Sequence, residues 1–104
     1  MTEADKDLYS GLIRLHVLHH AAQQSIYGSW MIDELRQHGY VISPGTLYPM
    51  LHRLAKKGYL EMRPEGPSRR ARRLYGITAQ GRAALAEAKD KVRELFGELF
   101  EDEP

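Results

Sequence analysis

The stretch from residue 43 to residue 58 constrains the fold more than any other, because it carries the signals for both of its own ends. Ser43 has the side chain of a helix cap, and Pro44 suits the first helical position, where a missing N–H costs nothing. Gly58 is placed to close the far end. Between them Leu47, Met50, Leu51 and Leu54 recur at i, i+3, i+4 and i+7, so they share one buried face. At ~100° per residue the opposite face holds Gly45, Pro49, His52 and Lys56, flanked by Thr46, Tyr48 and Arg53. Pro49 removes a backbone hydrogen bond inside this helix at a cost of ~3 kcal/mol. Such a conflict between propensity and pattern is characteristic of a functional surface rather than a plain scaffold. Small residues at the first turns let this face approach a groove closely, and the groups further along can meet phosphates.

After Gly58 the period changes from helical to alternating. Residues 59–63 read as a strand, and residues 74–77 can return beside it. The tip between them is rich in Pro, Gly and Ser and carries Arg69, Arg70, Arg72 and Arg73, four arginines in five positions. Upstream, a first helix is expected over residues 8–22, with Leu8, Leu12, Leu15 and His19 at helical spacing. Ile13, Val17 and Leu18 spread its apolar character, so it must be covered on more than one side. Ser25 reads as the N-cap of a second helix ending at Gly39, with Trp30, Met31, Ile32 and Leu35 as its apolar set. Three helices followed by a basic hairpin is the order of a winged helix-turn-helix, in which the third helix enters the major groove and the hairpin meets backbone or minor groove.

Thr78 can cap a last helix running from Ala79 toward Phe100. Its apolar stripe is Leu85, Ala88, Val92, Leu95, Phe96, Leu99 and Phe100, with Glu87, Asp90, Lys91, Arg93, Glu94 and Glu98 on the other side. A core of this size cannot cover that stripe unaided. A second copy of the chain is the simplest cover, with help from the first helix, and a dimer places two recognition helices one DNA turn apart on a pseudo-palindromic operator. The expected fold class is mainly α with a small β-hairpin. A winged helix-turn-helix over residues 1–78 and a C-terminal dimerisation helix over 79–104 would form one compact unit.

Length and composition set the outer bounds. With 104 residues, 42% apolar and 28% charged, the chain fits one globular domain. It has no cysteine, which excludes disulfides, thiolate zinc sites and cysteine nucleophiles. No apolar run approaches the ~20 residues of a membrane span and the polar start is not a signal peptide, so a cytoplasmic location is expected. A formal charge of +1 conceals a strong division: residues 1–42 carry −2, residues 43–82 carry +7 and residues 83–104 carry −4. Charge segregated in this way points one surface at a polyanion. Neither a glycine-rich phosphate loop nor a nucleophile–base–acid constellation is present, so no enzyme is expected and no catalytic residue or cofactor is assigned.

The histidines need separate weighing. His16 and His20 have the i,i+4 spacing of a metal pair, but no carboxylate lies near them in that helix, and a third ligand would have to come from elsewhere. A packing or interface role is therefore expected and no metal is assigned; a regulator responding to metal through His16 and His20 stays as an alternative. Tyr27 and Trp30 read as core or dimer-groove residues. A winged helix whose basic hairpin binds an acidic protein partner is the other reading of the same pattern.

The run Ser43-Pro44-Gly45-Thr46-Leu47-Tyr48-Pro49-Met50-Leu51-His52-Arg53-Leu54 resembles the PadR transcriptional regulators. The likeness continues through Gly58, Leu60, Tyr75 and Ile77-Thr78-Ala79-Gln80-Gly81-Arg82, and includes Tyr27-Gly28 at the start of the second helix. It implies a bacterial or archaeal dimeric regulator, usually a repressor released by a small phenolic, drug-like or other ligand. The single helix after the wing is similar to the short branch of the family. Arg69, Ala71 and Leu74 stand where the family's usual wing has glycine, proline and the first tyrosine. In short drug-binding members the ligand stacks on a tryptophan of the last helix; this chain offers Phe96 and Phe100 there, so that mechanism does not carry over. The expected DNA contacts are Ser43, Gly45, Thr46, Tyr48, Pro49, His52, Arg53, Lys56 and Lys57 with Arg69, Arg70, Arg72 and Arg73. The expected dimer interface is Leu8, Leu12, Leu15, Leu85, Ala88, Val92, Leu95, Phe96 and Leu99, with a small aromatic ligand as effector.

Overall fold

The computed structural model describes residues 5–101. Glu3, Asp102 and Glu103, which contribute to the acidic ends of the charge pattern, lie outside the described residues. The order of elements is α1 (Lys6–Gln23), β1 (Ile26–Tyr27), α2 (Gly28–Gln37), α3 (Pro44–Lys56), β2 (Leu60–Pro64), β3 (Arg73–Ile77) and α4 (Ala79–Glu101). The three strands form one antiparallel sheet in the order β1-β3-β2. Fourteen buried apolar residues make a single core, drawn from α1 (Ile13, Val17, Leu18, Ala21), α2 (Met31, Leu35), α3 (Leu47, Met50, Leu51, Leu54) and the base of the sheet (Ile26, Leu60, Tyr75), with Ile42 from the loop before α3. The helix-turn-helix face is thus held by the apolar period of α3, as its spacing predicts.

Both helices of that unit end in the same way. Gly39 and Gly58 have φ of +91° and +87°, a backbone conformation that favours glycine. In each case the next two N–H groups return to the last turn: Gly39 to Arg36 and Tyr40 to Leu35, then Gly58 to Ala55 and Tyr59 to Leu54.

Thr78-Ala79-Gln80-Gly81-Arg82 joins three helix ends. The Thr78 hydroxyl accepts the Gly81 N–H at 2.9 Å, capping α4, and donates toward the carbonyls of Gly58 and Tyr59. Gln80 Nε2 donates to the Lys57 carbonyl at the end of α3 (3.3 Å), and the Arg82 guanidinium donates to the Ala22 carbonyl in the last turn of α1 (3.1 Å). Orphan carbonyls of two helices are satisfied by the start of a third.

Three expectations need correction. Ser25 does not cap α2: Ile26 and Tyr27 are extended, pair with Tyr75 and Leu74 of β3, and leave Tyr27 at the N-cap position, while the Ser25 hydroxyl sits over Gly76. The expected hairpin is formed by β2 and β3 and gains β1 as a third strand, with its first strand displaced by one residue to Leu60–Pro64. Trp30 is not a core residue; it is 40% exposed and meets the His20 ring edge-on at 5.4 Å. The buried face of α2 is instead Gly28, Met31 and Leu35.

Candidate nucleic-acid interface

Burial along α3 divides it as its sequence suggests. Gly45, Tyr48, Pro49, His52, Arg53 and Lys56 are exposed, as is Lys57 just beyond the helix, whereas Leu47, Met50, Leu51 and Leu54 are buried. Ser43 stands at the N-cap with extended backbone, and its carbonyl accepts the Thr46 and Leu47 N–H groups at 3.0 Å. Its hydroxyl donates to Thr46 Oγ1 at 3.3 Å, so the two polar side chains of the first turn are coupled. Thr46 is consequently half-buried. Pro49 lies on the exposed face, where its ring is presented outward instead of disturbing the core.

The wing is braced against the second helix. Beyond β2 and β3 the hairpin is extended by the Glu65 N–H donating to the Arg72 carbonyl at 2.8 Å. Its turn is set by Ser68, whose carbonyl accepts the Ala71 N–H and whose hydroxyl accepts the Arg70 N–H, each at 3.0 Å. Tyr27 ties this tip to the body: its hydroxyl donates to Glu65, and the Arg72 guanidinium lies over its ring, 3.7 Å from the centroid. The hydrogen bond to the Glu65 carboxylate raises the Tyr27 pKa above the ordinary phenol value, against the lowering influence of Arg72.

This bracing creates a hollow of about 340 Å³ between the wing and the reading helix, lined by Tyr27, Gly28, Ser29, Tyr48, Arg69, Arg70, Ala71, Arg72 and Arg73. Arg69, Arg70, Arg72 and Arg73 line it together with the first residues of α2, a composition suited to a phosphate. Gly28 is needed for its shape, because a Cβ at that position would lie 2.6 Å from the Tyr48 ring. The ion pairs among the described residues are His20–Glu34, Arg36–Asp33, His38–Glu34 and Arg93–Asp90. None of them uses a cation of α3 or the wing, so that positive charge is not neutralised within the described chain.

Sequence reasoning missed two cations beside this surface. Lys6 and Arg14 of α1, with Ser10 between them, line a shallow hollow together with Gly45, Thr46, Pro49 and Arg53 of α3. Their signal was a polar stripe at steps of four on a helix otherwise read for its leucines. It also missed Ser29 at the start of α2.

The residues expected at the dimer interface, and Phe100 of the same stripe, lie on α1 and α4. Leu8, Leu12, Val92, Leu95, Phe96, Leu99 and Phe100 are all exposed, Phe96 by 61%, and Leu15, Leu85 and Ala88 are half-buried. Between α1 and α4 runs an open, mainly apolar groove of about 510 Å³ whose walls include Leu12, Leu15, His16, His19, Leu85, Val92 and Phe96. His16 and His20 lie on α1 beside the end of α2, and His52 stands apart from them on the exposed face of α3. Burial lowers the pKa of His16, and nearby His38, His20 and His19 lower it further against the opposite pull of Glu34. The His20 pKa is lowered by the same burial, opposed by Glu34. No helix among the described residues is long and apolar enough to cross a membrane.

Comparison with known proteins agrees with this geometry. The model of the family described as "Transcriptional regulator PadR-like family" matches residues 17–87. The chain is 46% identical over 95 residues to the transcriptional regulator Rv3488 of Mycobacterium tuberculosis, covering 91% of this chain and 89% of that protein. The solved PadR-like transcription factor from Bacteroides fragilis has the same fold, with a TM-score of 0.79 at 22% identity over 94% of this chain and 96% of that one. The PadR-like transcriptional regulator of Bacillus cereus superimposes with a TM-score of 0.76 at 27% identity, covering 93% of this chain and 99% of that one. With a family match over most of its length and a winged helix-turn-helix whose reading helix and wing carry cations that form no ion pair among the described residues, the chain belongs to the PadR-like family of transcriptional regulators, DNA-binding proteins and not enzymes.

Proposed function

We propose that the protein is a cytoplasmic, homodimeric repressor that reads a pseudo-palindromic DNA operator and is released by a small aromatic ligand. The first turns of α3 would enter the major groove with Gly45, Thr46 and Pro49 nearest the bases. Ser43, Tyr48, His52, Arg53, Lys56 and Lys57 would fix the register on phosphates. Arg69 and Arg70 at the tip, with Arg72 and Arg73, would clamp the neighbouring backbone or a narrow minor groove. The observation that carries this reading is the hollow lined by Arg69, Arg70, Arg72 and Arg73, none of which forms an ion pair among the described residues. A homodimer would bury the exposed stripe of α4 against a second copy, in line with the net acidic charge of residues 83–104, which disfavours contact with phosphate. The effector would occupy the groove between α1 and α4 and alter the separation of the two α3 helices.

The test is fluorescence anisotropy with the DNA upstream of the protein's own gene, repeated across a salt series. Specific binding with a steep negative log–log slope is expected. Replacing both Arg69 and Arg70 by alanine removes four cations from a dimer and should flatten that slope by up to ~3–4. If this double variant and Thr46→Ala both leave affinity and slope unchanged, the groove-and-wing reading fails. Absence of DNA binding together with capture of an acidic protein would favour the other use of the fold.

A further inference from the structure

Two elements bring together a set of histidines that the sequence distributes over more than twenty residues. His16 and His20 lie one turn apart on α1, with their rings stacked at 12° and 6.3 Å between centroids. His38, at the C-cap of α2, places its ring 4.9 Å from that of His16 and 6.2 Å from that of His20. One ring nitrogen from each of the three lies within 4.8 Å of the other two. Glu34, one turn before His38, sets Oε1 3.2 Å from His38 Nε2 and 3.6 Å from His20 Nε2. The third ligand that the His16/His20 pair lacked in its own helix is thus supplied by α2, and a carboxylate comes with it.

We propose that His16, His20 and His38 form a binding site for a divalent transition-metal cation of the Zn²⁺ class, with Glu34 as the fourth ligand. Four-coordinate zinc holds imidazole nitrogens at ~2.0–2.1 Å, which separates them by about 3.4 Å. The nitrogens lie within 4.8 Å of one another, at most ~1.4 Å beyond that value, a gap on the scale of side-chain rotation. The Glu34 oxygen is already close to two of the nitrogens, so the cation takes the place of the hydrogen-bonding protons there, and each neutral imidazole carries its proton on the other ring nitrogen. Three imidazoles with one carboxylate and no thiolate suit Zn²⁺, Ni²⁺, Co²⁺ or Cu²⁺. Mg²⁺ and Ca²⁺ are disfavoured because they take oxygen ligands. Among the described residues the half-buried His16 ring makes ring contacts with His20, His38 and Tyr40 but no hydrogen bond, which leaves its nitrogens available. His19, whose ring nitrogen pairs with Gln23 Nε2 at 3.4 Å, stands outside the set. Bound metal would tie α1 to the end of α2. This inference does not rest on the repressor reading, since it concerns binding to the free protein.

The test uses the untagged full chain, stripped with chelator. Trp30 is the only tryptophan and its ring meets that of His20 at 5.4 Å, so Ni²⁺ should quench its fluorescence saturably. Zn²⁺ should reverse the quenching, and calorimetry should count one Zn²⁺ per protomer. Removing even an outer-shell partner of a metal site typically costs ~10–100-fold in affinity, so His38→Gln, at a half-exposed position, should weaken binding by at least about tenfold. Glu34→Gln should do the same, whereas His19→Gln should bind as the wild type does. Circular dichroism would establish that the variants are folded, and the wild-type quenching and its reversal stand independently of them. Absence of saturable binding to the wild type, or equal affinity in His38→Gln, overturns the proposal; so does loss of binding in His19→Gln with His38→Gln unaffected.

Discussion

An alanine at Gly81 offers the sharpest test of how the last helix is fixed to the wing. Its Cβ would overlap the Tyr59 carbonyl oxygen outright and lie 2.8 Å from Ile77 Cγ1. That oxygen cannot swing aside, because it accepts the Thr78 N–H and hydroxyl, each at 3.1 Å. Relief therefore requires the first turn of α4 to lift, which also strains the Gly81 N–H bond to Thr78 Oγ1. Overpacking of this kind costs ~1–3 kcal/mol, and two weakened hydrogen bonds add ~0.5–1.5 kcal/mol each. The better helix propensity of alanine returns ~1 kcal/mol, leaving a net loss of about 1–5 kcal/mol, centred near 3. At ~4–8 °C per kcal/mol for a domain of this size, the midpoint should fall by ~10–20 °C. Thermal melts by circular dichroism would measure this at fixed protomer concentration, since association makes the midpoint concentration-dependent. Gly97 of the same helix is the control. A Cβ there finds only the Glu101 side chain, at 3.7 Å, so Gly97→Ala should gain up to ~1 kcal/mol. If Gly81→Ala melts within ~0.5 kcal/mol of the wild type, the close approach of α4 to Tyr59 does not hold the junction as argued.

Two further outcomes are expected. His16 and His20 are held below the ordinary imidazole pKa by burial, with His19 and His38 acting in the same direction and Glu34 opposing, so the folded state binds fewer protons than the unfolded chain near pH 6. The stability they contribute is present above pH ~6.5 and is lost as pH falls through their lowered values, so the urea midpoint measured with chelator should drop between pH 7.5 and 5 and should drop less in His16→Gln; an equal drop in both would refute the assignment. Leu95→Glu with Leu99→Glu places two charges in the exposed stripe of α4 and should yield monomers by sedimentation with the winged domain still folded, whereas a persisting dimer would move the interface elsewhere.

What could be read from the sequence was local, and what escaped it was tertiary. The limits of α3 and its buried face follow from Ser43, Pro44, Gly58 and four apolar residues within one helix. The cap of α4 follows from Thr78 alone. The strand Ile26–Tyr27 was invisible because its two residues gain their conformation from Tyr75 and Leu74, almost fifty positions later. Whether Trp30 belongs to the core could not be read, because Trp30, Met31 and Ile32 are consecutive and only packing decides which of them turns inward. The hollow beneath the wing depends on Tyr27 holding Arg72 and Glu65, and the histidine cluster depends on α2 ending beside the middle of α1. Neither relation has a sequence period.

The surplus of apolar character on α1, which demanded cover on more than one side, has a structural resolution. One side gives Ile13, Val17, Leu18 and Ala21 to the core, and a second places His16 and His20 against the end of α2. A third presents Leu12, Leu15 and His19 to the groove beside α4. Lys6 and Arg14 meanwhile flank the first turns of α3. The helix therefore touches the reading surface, the histidine cluster and the groove beside α4 at once, and His16 belongs to both of the last two. A ligand in the groove and a cation on the histidines would compete for the rotamer of that one residue. Their affinities should then be linked, and by equal factors in both directions. Titrating the cation at two concentrations of a groove ligand would measure the linkage, and independent affinities would show that His16 is not shared.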